Sequence, residues 1–316
     1  MGAASAPAGA AAYSGIVAFG DSLSDNGNFA ASVGGLFPGP LFGYYPGRFS
    51  NGPVAVEYLA QSLGLDLTDY AFGGARTGAP VGGGSDNYVD DSGQAASLGI
   101  PSGAFNGTGV TAQVSTYLTA QGGAADPGAL FVVWAGPNDY FLPASLIDPL
   151  TASNAVSNLQ LSITTLYNAG ARDFLVPNMA DLGITPSFLE EGALTAGIAT
   201  SRSIEHNNGL AAMLAALDAD LAGARFRSVD VFSLLNHAVA DPGLYGLSNV
   251  DTACQSIAAC RVDPTGYLFW DEVHVTTAAH QLVASAFVAA LVPEAQTWAM
   301  LLAGLGVVGV ARRLRA

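Results

Sequence analysis

Ser22 stands just beyond the apolar run IVAFG, residues 16 to 20, with Asp21, Asp25, Asn26 and Asn28 crowded around it. A buried-looking run that ends so abruptly in polar side chains has two readings. It is a loop leaving the core, or it holds a serine exposed at a strand end as a nucleophile. The second reading needs a neighbouring base, because a serine hydroxyl is a weak nucleophile until its proton is taken. Three further polar clusters follow strand or loop ends: YAFGGART (70–77), VWAGPNDY (133–140) and WDEVHVT (270–276). Taken alone, the acidic pair and histidine of the last cluster read as an ordinary loop entering a helix.

The elements that must position these clusters alternate along the chain. Short apolar runs at Gly15–Phe19, Asp69–Phe72, Ala129–Trp134, Asp173–Val176 and Arg225–Val231 predict strands. Between them, Val54–Leu63, Val110–Ala120, Ala152–Asn168, Ala193–Leu221 and Thr276–Val292 predict helices. Such alternation predicts a three-layer α/β/α sandwich with a mostly parallel central sheet. Ligands then sit outside the carboxyl ends of the strands, which is where the cluster after Phe19 falls. The chain has 316 residues and is 50% apolar, enough for a full core. Its net charge of −15 argues against nucleic acid or an anionic membrane as the main partner. No lysine occurs.

With all four clusters in order, the chain resembles the GDSL family of serine esterases and lipases, also called SGNH hydrolases, over most of residues 15 to 291. The resemblance implies a flavodoxin-like SGNH hydrolase fold without cofactor or metal. It makes Ser22 the nucleophile, His274 the base and Asp271 the group that orients the imidazole. It also implies an oxyanion hole built from the Ser22 amide, the Gly73 amide and the Asn138 side chain. Gly74 is adjacent, so a shift by one residue stays open. Asp139, Asp21 and Asp25 are expected to brace loops. GRFSNGPVAVEYLA (47–60) also resembles the family and reads as scaffold opening a helix. No Gly-x-Ser-x-Gly elbow surrounds Ser22, which sets the chain apart from α/β-hydrolases.

Other features receive plainer readings. Residues 78 to 109 hold nine glycines and lack periodicity; they are a solvated insertion or a substrate-facing loop. Asp86, Asp90 and Asp91 there match no EF-hand spacing. His206, His237 and His280 share no partner cluster. Cys254 and Cys260 are too few for a zinc site, and in an oxidising compartment they are candidates for a disulfide.

The domain division reads as a disordered leader or signal-peptide remnant at 1–14, a catalytic domain at 15–292 and a tail at 293–316. That tail, from Pro293-Glu294 through an apolar run to Arg312, Arg313 and Arg315, resembles a PEP-CTERM sorting signal, with Ala295 where the motif has proline. The expectation is an exported monomer of a Gram-negative bacterium, in the periplasm, at the envelope or secreted, transiently anchored to the membrane by its tail. Its function would be hydrolysis of a small-molecule, lipid or polysaccharide ester through an acyl-enzyme. The alternatives are acyl transfer through the same intermediate, or a non-catalytic surface-binding protein of the same fold.

Overall fold

Five of the apolar runs pair into one parallel sheet: β1 (Ile16–Gly20), β2 (Leu67–Asp69), β3 (Leu130–Trp134), β4 (Asp173–Leu175) and β5 (Arg225–Arg227). In this computed structural model, which describes residues 13–97 and 99–291, the strand order is β2-β1-β3-β4-β5. Of the leader expected at 1–14, residues 1–12 lie outside the described residues, as does the chain from residue 292. Tyr13 and Ser14 are not leader but part of the domain, because the Tyr13 ring is buried in a core cluster and the Ser14 amide donates to the Gly128 carbonyl. The strand order is the flavodoxin-like one, whose switch point leaves a crevice beyond the carboxyl ends of β1 and β3.

The two central strands are apolar at almost every position because helices cover both faces of the sheet. Side chains alternate across a strand, so Ile16, Ala18, Leu130 and Val132 face one core cluster. Val17, Phe19, Phe131 and Val133 face the other. Helices α1 (Ala55–Leu63), α5 (Val231–Ala240) and α6 (Thr277–Leu291) cover the first face. The second is covered by α2 (Val110–Ala120), α3 (Thr151–Ala169) and α4 (Ala193–Asp220).

Helix ends follow local chemistry. The Glu57 carboxylate accepts the free Val54 amide at the start of α1, and Gly64 takes the left-handed conformation that closes it. The α2 bounds agree with those predicted, whereas the predicted strand Arg225–Val231 stops early. Asp230 caps α5 by accepting the Ser233 amide, which turns Val231 into helix. The second predicted strand sits a few residues late, because Leu67–Asp69 is the regular part. Pairing nevertheless runs on, as Tyr70 and Phe72 donate to the carbonyls of Ala18 and Gly20.

Two histidines are buried in the helical layers. His206 on α4 lies 3.1 Å from the Tyr140 hydroxyl, whereas neither ring nitrogen of His280 on α6 has a partner among the described residues. Burial, with the nearby His274 as a smaller influence, pushes the His280 pKa down to about 3. The unfolded chain therefore takes up a proton below about 6.5 that the folded chain refuses. His280 thus contributes fully to stability above that pH, and its contribution falls by about 1.4 kcal/mol per pH unit on acidification. His280→Leu is expected to remove this dependence. Thermal melts of both proteins at pH 7 and pH 5 should show the variant losing several degrees less; an equal loss would mean that His280 is not held neutral.

Candidate active site

The polar cluster after β1 folds into a tight turn. The amides of Ser24 and Asp25 donate to the Asp21 carbonyl, and the Leu23 amide donates to Asp21 Oδ1. Gly20 is needed just before this turn, since a Cβ there would lie 2.3 Å from the Trp134 carbonyl oxygen of β3. The fully buried Asp25 carboxylate then ties loops together. It accepts the amides of Gly27 and Asn28 on one oxygen, and those of Phe29 and Gly73 on the other. Ser22 is left at the top of the turn with its hydroxyl directed toward the loop before α6.

That loop is the tip of a small antiparallel pairing between Phe269 and Val275 rather than a helical turn. Asp271 Oδ1 accepts the amides of Val273 and His274, which fixes the carboxylate. His274 Nδ1 lies 2.7 Å from Asp271 Oδ2, and His274 Nε2 lies 2.7 Å from Ser22 Oγ. An ionised Asp271 can only accept, so Nδ1 carries the proton and Nε2 is free to accept from Ser22. Burial works to raise the Asp271 pKa, but the facing imidazole and its hydrogen bonds outweigh it and hold the pKa below the ordinary carboxylate value. For His274, burial works to lower the pKa, while Asp271, with smaller help from Asp21 and Glu272, raises it above the ordinary imidazole value.

After β3, Gly136 and Pro137 lead into a short 3-10 turn that carries Asn138. One Asn138 amide hydrogen is donated to the Ala75 carbonyl. The adjacent Asp139 accepts the amide and hydroxyl of Thr77, tying this turn to the YAFGGART loop. The resemblance implies an oxyanion donor at Gly73, with a shift to Gly74 open, and the Gly73 amide is engaged elsewhere. It donates to Asp25 at 2.8 Å. Gly74 is the glycine that lines the cleft with Ser22, Asn138 and His274, and its amide has no acceptor among the described residues. Gly74 has φ +76°, and a Cβ there would meet Asn87 Oδ1 at 2.5 Å, so only glycine fits.

Two further side chains, neither marked as a site residue by a local motif, touch the Asp271–His274 pair. The Tyr44 hydroxyl donates to Asp271 Oδ2 at 2.7 Å, on the same oxygen that accepts from His274. The Phe49 ring lies 5.1 Å from the imidazole. Nothing local could announce a tyrosine 227 residues from its partner. The insertion at 78–109 contributes Tyr88, Val89 and Gln94 to the cleft wall, so part of it faces the site. Its three aspartates fasten glycine-rich backbone: Asp86 accepts the Gly107 and Gly109 amides, Asp90 those of Gly103 and Phe105, and Asp91 pairs with buried Arg76. Cys254 and Cys260 form a disulfide packed against Trp270, beside Asp271. His237 is exposed on α5, away from these clusters.

Burial raises the Asp21 pKa to about 7, against the Leu23 amide and the His274 charge. Its Oδ2 is buried with no partner among the described residues.

Comparison with known proteins places the chain in a family. Residues 16–287 match the family described as GDSL-like Lipase/Acylhydrolase, and residues 291–316 match the PEP-CTERM protein-sorting motif. An uncharacterized Pseudomonas putida protein is 32% identical over 86% of this chain, which spans only 47% of that protein's length. A GDSL esterase/lipase of Arabidopsis thaliana is 28% identical over 84% of each chain. Among solved structures, a member of the lipolytic G-D-S-L family from Veillonella parvula aligns over 86% of this chain and 95% of its own, with 14% identity and a TM-score of 0.47.

Proposed function

The chain belongs to the GDSL-like lipase/acylhydrolase family and is an ester hydrolase of that kind, and we propose that it works as a serine enzyme through an acyl-enzyme intermediate. The observation that carries this reading is the unbroken relay from Ser22 Oγ through the His274 ring to Asp271 Oδ2, 2.7 Å at each step.

In the first half-reaction Ser22 Oγ attacks the ester carbonyl carbon while His274 Nε2 accepts the hydroxyl proton. Asp271 stabilises the imidazolium so formed. Negative charge moves onto the carbonyl oxygen, where the Ser22 and Gly74 amides and the second Asn138 amide hydrogen are the donors. Collapse breaks the bond to the alcohol, which leaves with the proton from His274. A water then repeats the sequence, giving up its proton to His274, and the acid is released with Ser22 restored.

Because the His274 pKa is raised, kcat/KM should climb with pH through a limb above about 6.5. Tyr44 acts in this scheme as a positioning residue, sharing the negative charge of Asp271 Oδ2. Tyr44→Phe leaves that charge entirely to the imidazole. It should move the limb upward by roughly half a unit to one unit and lower kcat by roughly fivefold, the worth of one net hydrogen bond. The test is a pH series of p-nitrophenyl ester hydrolysis by both proteins. A flat profile in the native enzyme argues against a histidine base, and an unmoved limb in the variant removes the role of Tyr44.

We read the protein, from its sorting motif, as exported in a Gram-negative bacterium, with the catalytic unit ending near Val292. A chain stopped after Val292 should keep its ester turnover and melting temperature and leave the cell-envelope fraction of the host. Loss of most activity would make the tail part of the catalytic fold.

A further inference from the structure

Two hollows of unlike character meet at Ser22 and His274. The larger, about 450 Å³, has an aromatic rim that includes Tyr44, Phe49 and Tyr88, and it holds Gly74 and Asn138. The smaller, about 40 Å³, runs from Asp21, Ser22 and His274 inward between Trp134, Leu182, Val231, Leu235 and Phe269. Each of these five inner residues is at most 3% exposed, so the small hollow ends in the core.

The polar side chains of the inner wall are engaged among the described residues. The Asp181 carboxylate is taken by the Gly183 amide, the Thr200 hydroxyl and the Asn236 side chain. The Thr185 hydroxyl is donated to the Leu182 carbonyl. Of the side chains lining this hollow, Asp21 alone has a buried atom, Oδ2, without a partner among the described residues, and Asp21 sits beside Ser22 at the mouth. A substituent entering beyond Asp21 must therefore be apolar, since a polar one would lose its hydrogen bonds to water without replacement.

We infer that this small hollow is the acyl subsite and that it is built for an acyl group of about two to four carbons. The inference rests on the serine-hydrolase reading above. Reaction order decides which half of the ester goes where. The alcohol must leave and water must arrive while the acyl group stays bonded to Ser22. The departing half needs the open cleft, and the retained half suits the closed end. Size decides the chain length. About 40 Å³ gives room for roughly three water-sized groups, and a methyl or methylene is close to that size. A longer chain would have to displace Leu235 or Phe269, both part of the core.

The test varies one half of the ester at a time. With p-nitrophenyl acetate, propionate, butyrate, hexanoate and octanoate, kcat/KM should rise by roughly fourfold per methylene up to butyrate and then fall. Leu235→Ala, which deepens the hollow, should raise the hexanoate-to-butyrate ratio at least about tenfold. Ala180→Phe, which fills it from the wall, should lower the butyrate-to-acetate ratio by a similar factor. Melting curves check that each variant is folded. If one is not, the native chain-length profile and the other variant still decide. A native profile that keeps rising to octanoate overturns the inference, as do ratios unmoved in a folded variant. In a second series of acetate esters with alcohols of increasing size, the variants should follow the native preference. A changed alcohol preference instead would make the alcohol the occupant. Failure of the native protein to hydrolyse any ester would remove the hydrolase reading itself, and this inference with it.

Discussion

Ser22→Ala is expected to lower ester turnover at least about 10³-fold while leaving the fold unchanged. The first half of that expectation follows from chemistry. Without Oγ no acyl-enzyme forms, and the remaining rate is what the oxyanion donors and binding alone supply to a water attack. The second half follows from the packing. The turn that carries Ser22 is held by the backbone and by the carboxylates of Asp21 and Asp25, while the Ser22 hydroxyl touches His274. Its removal takes nothing from the turn. Turnover of p-nitrophenyl butyrate, measured beside a thermal melt, checks both halves. A folded variant that keeps more than a tenth of the native rate sinks the nucleophile assignment.

Asn138→Ala should lower kcat by roughly 10²–10³-fold with little change in KM, because the lost donor acts on charge that develops only in the transition state. The same amide group also donates to the Ala75 carbonyl, so the variant gives up one structural hydrogen bond, worth about 1 kcal/mol. Kinetics are therefore read well below the melting temperature. A change confined to KM would make Asn138 a group that binds the ground-state ester. The expected contrast with Tyr44→Phe is diagnostic, since a positioning residue moves the pH limb and a charge-stabilising donor does not.

Much of the architecture was legible from periodicity alone. Apolar runs such as Leu130–Trp134, separated by helix-length segments, carry the parallel sheet and its two covering layers. Such patterns arise from burial, which each residue expresses by its own type. The clusters at the strand ends were legible for a related reason. Ser22, Asn138 and the Asp271–His274 pair lie in short motifs whose residue types are constrained by local turns. Element ends were less legible, because a cap such as Asp230 diverts the chain after the strand pattern has already begun.

What the sequence by itself determined is therefore the order of the elements, the candidate nucleophile, base and acid, and the resemblance that joins them. The tertiary structure alone decided which glycine amide is left free. Gly73 and Gly74 are the same residue type, but the Asp25 carboxylate, folded over from another loop, occupies the Gly73 amide, while Gly74, at φ +76°, lines the cleft. It alone decided that Tyr44 reaches Asp271, and that Trp134, Val231 and Leu235 close a small hollow behind Ser22. Local types and spacings encode what a residue can do. Whether a donor is already engaged, or how much room lies behind a serine, depends on groups brought together from distant parts of the chain, and only folding sets those distances.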